Sequence, residues 1–524
     1  MPIPLLTPTR PRRARRLAAG ALVALAVPLA GCGSGGGGGG NSDVDPASVV
    51  PASAAFYGEV TVRPEGDLKA SVETLAKKIA QNDDPGGELV KQIDAGLKDQ
   101  NLTFKDDIDP WLGKKAAVAI TGLKDPQHPD YAIVIAATDT GKALDALKKD
   151  EKGLVERTYK DVKYTFNAKQ QQAAAGVGDT LVVATEASLK SIIDVDKGGA
   201  SLAKSDKLAK ARKGVTSDGL GFFYVDPVSV IDLLASSSPA LGAQAGPLKS
   251  LLGGDKASAI GAALTAAADS IRLETAVDGQ TAATAADEAA ATTAGLPAGS
   301  VAAAGFGSIA SRAEKGVAQL QQLGGIYATV LAQFKTITGL DLEQDVLSWM
   351  GKGGLFVRAK GLADIGGALV VDTSDAKKSA AFIDSARGLI SQFGASSGLR
   401  VSSFSGQGAK GFQLKAAQFP FPIIVATGAG KFVIAVGDSS VREALKPTTT
   451  LGDDPRFKAT ATQLGAKPAL YVDLQAIIGF ANLAAGSDPG YQKAKKYLQA
   501  FTALAAGSEH SGGTTKSRVV VGVK

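Results

Sequence analysis

Asn101-Leu-Thr-Phe-Lys-Asp-Asp-Ile-Asp-Pro-Trp-Leu-Gly-Lys114 aligns without a gap to Gly339-Leu-Asp-Leu-Glu-Gln-Asp-Val-Leu-Ser-Trp-Met-Gly-Lys352. Leu102/Leu340, Asp107/Asp345, Trp111/Trp349, Gly113/Gly351 and Lys114/Lys352 are identical pairs, and the two tryptophans of the chain share one slot. Other matches keep the same order. Pro51-Ala52 with Phe56-Tyr57-Gly58 answers Pro297-Ala298 with Gly305-Phe306-Gly307. Phe223-Tyr-Val-Asp226 answers Leu470-Tyr-Val-Asp473, and Ser270-Ile-Arg-Leu273 answers Ser517-Arg-Val-Val520. Ordered self-similarity of this kind predicts two tandem copies, at 44–280 and 296–524, joined by an Ala/Thr-rich connector at 281–295.

Each copy opens with a strand (Phe56 to Val62 in the first). An amphipathic helical region comes next, with Leu68, Val72, Leu75, Ala76 and Ile79 at helical spacing. Leu89, Val90, Ile93 and Leu97 continue a second helix after the Asp84-Pro85-Gly86-Gly87 break, and the second copy has its helix near Val317 to Phe334. Two strands, a helix, more strands, a helix, the Tyr-Val-Asp strand, another helix and a final strand pair complete the copy. Adjacent strands interleaved with helices predict an α+β fold: a largely antiparallel sheet backed by helices. Ala132–Ala136, Leu181–Ala184, Ile423–Ala426 and Phe432–Val436 are apolar without alternation, so both faces need cover. Helices and a neighbouring domain would supply it; so would a lipid tail lying in an apolar cavity.

Of the formal charge of +6, five units belong to Arg10, Arg12, Arg13, Arg15 and Arg16, in a 31-residue stretch without an acid. The rest of the chain carries +1, which is no electrostatic footprint for nucleic acid. The single cysteine, Cys32, excludes an internal disulfide and a thiolate metal cluster. The two histidines, His128 and His510, read as solvated loop residues rather than metal ligands.

The arginines precede an apolar run from Leu17 to Gly31, interrupted by Pro28 and short for a membrane span. It ends in Leu29-Ala30-Gly31-Cys32, which resembles the lipobox of bacterial lipoprotein signal peptides. The resemblance implies diacylglycerol on Cys32 and cleavage between Gly31 and Cys32, with residues 1–31 removed as signal peptide. The arginine pairs leave Sec and twin-arginine export both open. Residues 32–43 are glycine-rich and form a tether of about 20 Å by random-coil statistics. The expected address is the outer side of the cell membrane.

With the lipobox and tether, the opening Val50-Pro-Ala-Ser-Ala-Ala-Phe-Tyr-Gly58 and the Trp-Leu-Gly strand resemble the domain-of-unknown-function 3352 family of exported lipoproteins from high-GC Gram-positive bacteria. That likeness implies surface attachment and supplies no reaction, ligand or catalytic residue.

Catalytic templates match poorly. Ser201-Leu-Ala-Lys204 fits Ser-x-x-Lys, but its Lys-Thr-Gly partner is missing and the second copy reads Thr450-Leu-Gly-Asp453. Gly428-Ala-Gly-Lys431 lacks the spacing of a phosphate loop. Asp226 and Asp473 sit where helix caps belong, and Trp111 and Trp349 read as core anchors. Lys114 and Lys352 suit either an anion or solvent. No cofactor or metal is expected. The leading expectation is a non-enzymatic binding or structural lipoprotein, whose partner is an envelope protein, a cell-wall polymer or a lipid. A lipid or glycolipid carrier with an apolar cavity is the first alternative, and an envelope hydrolase with converging carboxylates the second.

Overall fold

The computed structural model describes residues 43–524 except 126–127, 150–152, 217–218, 238, 253, 255–257, 279–282, 322–324, 360, 362–363, 395–397, 417–418 and 512–513. The expected signal segment, the expected cleavage position at Gly31, Cys32 and the glycine tract lie outside the described residues. No helix among them is long and apolar enough to cross a membrane. The chain divides into two compact units between residues 279 and 280.

The first unit holds β1 (Phe56–Thr61), β2 (Leu112–Asp125), β3 (His128–Ala137), β4 (Leu154–Tyr159), β5 (Val162–Asn167), β6 (Gln172–Val177), β7 (Thr180–Ala184), β8 (Gly221–Val225), β9 (Ile260–Ala267) and β10 (Ser270–Asp278). Their order across the sheet is β4-β5-β6-β7-β3-β2-β1-β8-β9-β10, antiparallel throughout. The second unit holds β11 (Ala302–Phe306), β12 (Met350–Ala359), β13 (Ile365–Thr373), β14 (Arg400–Gly406), β15 (Ala409–Lys415), β16 (Ile423–Gly428), β17 (Lys431–Val436), β18 (Leu470–Asp473), β19 (Phe501–Ser511) and β20 (Thr514–Val523). Its order is β14-β15-β16-β17-β13-β12-β11-β18-β19-β20, again antiparallel. Strand for strand, the orders agree. The mixed helix and antiparallel sheet is the expected α+β class.

Each sheet buries apolar side chains on both faces, which accounts for the unbroken apolar strands of the first unit. In the first unit one face carries Tyr57, Val134, Leu189, Ile192, Leu208 and Tyr224. Its other face carries Ile93, Leu97, Phe104, Trp111 and Leu181. The second unit repeats this with Phe356, Ile424, Val441, Phe457 and Tyr471 on one side and Trp349, Ile383, Phe412 and Phe432 on the other. Trp349 meets Phe432 edge-on at 5.4 Å between ring centres, a favoured aromatic geometry.

The duplicated tryptophan motif builds the same local structure twice. Wide single turns, Phe104–Ile108 and Leu342–Leu347, precede β2 and β12. Asp107 Oδ2 accepts the amide of Thr103, and Asp345 Oδ2 that of Asp341, both at 2.8 Å. The indole N–H of Trp111 donates to the Asp107 carbonyl (2.6 Å), and that of Trp349 to the Asp345 carbonyl (2.8 Å). Of the identical pairs, the aspartates and tryptophans are thus the hydrogen-bonding parts of the motif.

Three expectations shift. The Ala/Thr-rich stretch expected to connect the copies supplies helix Ala283–Gly295, packed on β11, β12 and β19 of the second unit. Its small residues permit contact a linker would not make: a Cβ on Gly305 would fall 2.0 Å from the Ala289 carbonyl. His128 and His510 belong to strands, at the exposed start of β3 and within β19, where His510 Nδ1 lies 3.1 Å from Thr515 Oγ1. Finally, Tyr57 faces Tyr224 as Ala303 faces Tyr471, so Glu59, not Phe56, shares its slot with Gly305. Pro51 and Pro297, which bridge Ser201 and Thr450, stand at the same separation as Glu59 and Gly305.

Candidate functional site

The densest polar cluster in the first unit joins the start of the described chain to the middle of the sheet. Asp45 caps a 3-10 turn, Pro46–Ser48, by accepting the Ala47 amide. Tyr57 and Glu59 share one face of β1, and Arg212 reaches them from helix Asp206–Gly214. Arg212 donates to Asp45 at 2.6 and 3.1 Å and to Glu59 at 2.9 Å. The Tyr57 hydroxyl donates to Glu59 at 2.6 Å, and Lys115 lies 3.6 Å from the other Glu59 oxygen. Burial, with the Glu59 charge, pushes the Tyr57 phenol well above its usual range. Burial, the largest single influence on Asp45, opposes its ionisation, but the Arg212 bond and charge, with the Ala47 amide and Lys115, together outweigh it and hold that carboxyl below the usual value. The phenol therefore stays protonated and the carboxylate charged, an arrangement suited to locking the chain rather than to moving protons.

A second cluster lies where β7 passes into helix Glu186–Asp196. Glu186 accepts from Tyr164 (2.6 Å) and Arg157 (2.8 Å), with Lys190 at 3.0 Å. The Tyr164 bond, aided by the two cations against burial, lowers its carboxyl to about 2. Arg157 also stacks 3.9 Å above the Phe166 ring. An inverting or retaining glycosidase needs one carboxyl raised; Asp45 and Glu186 are held down.

The residues nominated from sequence fall into structural places. Asp226 and Asp473 cap their helices, accepting the amides of Val228 and Ala476. Each also pairs with a cation, Lys207 at 2.7 Å and Arg456 at 2.6 Å. Ser201 is buried and bridges Pro51, as Thr450 bridges Pro297; among the described residues no hydrogen bond joins its side chain to Lys204. Gly428-Ala-Gly-Lys431 is the β16–β17 hairpin, with Ala429 and Gly430 at positive φ. Its Lys431 ammonium donates to the carbonyls of Ala444 (3.3 Å) and Leu445 (3.2 Å) at a helix end. Lys114 pairs with Glu65 at 3.1 Å. Lys352 instead lines a cleft of about 180 Å³ together with Asp372, Lys431 and Glu443. Among the described residues no group of three His, Cys, Asp or Glu is placed to hold a metal.

One buried ion pair beside that cleft was not visible in the sequence. Arg358 Nε approaches Glu443 Oε2 to 3.1 Å, yet the two are out of hydrogen-bond alignment. A hydrophobic strand with one arginine was the signal, and it reads equally well as a solvated edge.

The most unusual surface is apolar. On one face of the second sheet Leu355, Val357, Ile365, Ile423 and Ile434 are each 36–48% exposed. They are neighbours: Leu355 faces Leu369, which faces Ile434, while Val357 and Ile423 flank Gly367 and Val436 in the next row. This is an open aliphatic band, in contrast to the closed cavity expected for a carrier. Large exposed apolar patches mark binding surfaces. In the first unit the matching row retains one exposed member, Val118.

The model of the family described as Protein of unknown function (DUF3352) matches residues 17–522. The comparison with curated proteins gave no match. Two solved structures of TP0453 are similar: crystal form III, at 12% identity, and crystal form IV, at 13%. In both cases 45% of this chain and 81% of that chain are covered, with a TM-score of 0.25.

Proposed function

The chain belongs to the DUF3352 family, and we propose that it is an exported, membrane-anchored lipoprotein whose two units form a non-enzymatic binding or structural scaffold in the cell envelope. In this reading residues 1–31 are removed and Cys32 carries diacylglycerol. The carrying observation is Leu29-Ala30-Gly31-Cys32, with the sole cysteine of the chain, between a short apolar run and a glycine tract. Two acyl chains at about 0.8 kcal/mol per buried CH₂ would give an anchor that hardly dissociates. Matching strand orders in the two units support their descent from one duplicated module. The converging charged groups are engaged in caps, clamps and ion pairs, which supports a scaffold over a reaction centre. Intact-mass analysis of the membrane-extracted protein tests the address. The expected result is a chain starting at Cys32 with a diacylglyceryl adduct, and release of Cys32→Ser into the soluble fraction by a high-salt wash that leaves the lipidated chain in place; an unmodified start would remove the reading.

A second reading, a carrier of lipid or glycolipid, is supported by the open aliphatic band of the second sheet. Organic extraction of the purified Cys32→Ser chain should then yield stoichiometric lipid, lost in Leu355→Lys/Ile434→Lys. A lipid-free extract would end this reading and leave the first intact.

A further inference from the structure

Helix Leu474–Ala485 is built inside out. It contains no charged residue, and of its side chains only Ile478 is buried. Both of its polar side chains are used inward or along the hairpin. Gln475 Nε2 donates to the carbonyls of Gln499 (3.1 Å) and Phe501, and Asn482 Oδ1 accepts from the Tyr491 hydroxyl at 3.0 Å. At 100° per residue these face the same side as Ile478. The opposite side presents Ile477, Gly479, Leu483 and Ala484 around a half-buried Phe480, with Leu483 65% exposed. A solvent-facing helix normally carries its charges there.

The second limb of the hairpin, helix Pro489–Leu498, supplies the missing polarity with one sign. Lys493, Lys495 and Lys496 face a single acid, Asp488, which caps the limb by accepting the Tyr491 amide at 2.7 Å. Tyr497 and Leu498 are exposed beside the lysines. An uncharged apolar limb rimmed by lysine and tyrosine matches the anionic bilayer interface, where apolar side chains enter the acyl boundary and ammonium groups meet headgroup phosphates. At 12 residues the limb is about 18 Å long, too short to span.

We propose that hairpin 474–498 is a second, reversible membrane contact that lies flat on anionic phospholipid, independent of any lipid on Cys32. The first unit supplies the contrast. In its helix Pro227–Ser237, Asp232 and Ser236 stand at the positions of Gly479 and Leu483, counted from the capping aspartates Asp226 and Asp473, and both are exposed.

The test uses the full chain with Cys32→Ser, in which Leu483→Cys provides the sole thiol for an environment-sensitive dye; Lys163→Cys serves as control. Vesicles containing about 30% phosphatidylglycerol should shift the 483 label to the blue and expose it to quenchers carried on acyl chains, while the 163 label stays unchanged. The three substitutions Lys493→Gln, Lys495→Gln and Lys496→Gln should weaken this response on the order of 100-fold. In chains labelled through Lys163→Cys, Gly479→Asp/Leu483→Ser, which copies the outward residues of the first unit, should lower vesicle cosedimentation without changing the thermal transition. An unshifted 483 label would overturn the proposal. So would a shift that appears without vesicles as protein concentration rises, since the occupant would then be a second copy of the chain.

Discussion

The same central-strand position is solved with charge in one unit and with emptiness in the other. Tyr57 and Glu59 on β1 fill their face with a phenol and a carboxylate, and Arg212 closes over them onto Asp45. Ala303 and Gly305 on β11 leave the face bare, and helix Ala283–Gly295 settles into it. Thr293 Oγ1 fastens that helix by donating to the Ala469 carbonyl (2.8 Å). One scaffold thus accepts two ways of attaching what precedes it in the chain: an ionic clamp for a short segment, close packing for a helix.

The exchange most damaging to this comparison is Gly305→Glu, which places the first unit's residue in the second. With a carbonyl 2.0 Å from the new Cβ and a carboxylate driven against helix 283–295, it should cost about 4 kcal/mol or more. Urea unfolding should show loss of the second unit's transition; a near-neutral result would mean that helix 283–295 is not held by close packing. Arg212→Met should cost about 3 kcal/mol, at the low end for a broken pair because the guanidinium is partly exposed. Proteolysis should open the chain near Asp45 first, and an unchanged digestion pattern would argue against a clamp. The smallest effect sharpens the likeness rather than the difference. Trp111→Phe and Trp349→Phe each lose one indole bond and some volume, about 2 kcal/mol apiece. Calorimetry should find them alike to within about 0.5 kcal/mol, and a large inequality would separate the two motifs.

The tryptophan motif could be read from sequence because its structure is local: Asp107 and Trp111 bond within four residues, as do Asp345 and Trp349. Helix 66–80 was legible for the same reason, since Val72, Leu75 and Ala76 are its buried stripe. Arg212 was not. It lies in a helix rich in lysine, and its partners are 167 and 153 residues away, joined only by the order of strands. Strand order itself hides behind antiparallel pairings over long separations, such as β1 with β8. Small-residue strands carry little pattern either. Ala-rich β11 gave no sign that its lack of side chains is what admits a helix. The outward face of helix 474–485 stays hidden in the sequence because its composition suggests a core helix, and only exposure reveals otherwise.

The clamp on Asp45 has a mechanical side. Residues 45–61 are stitched along their length: Leu202 N to Val50 O, Ala52 N to Ala200 O, Ala55 N to Ile120 O, then β1 between β2 and β8. A pull arriving from the N-terminal side would load these bonds together, in shear, at the centre of the sheet instead of peeling a strand from its margin. The unit is therefore wired to bear tension at the end where a leash would enter.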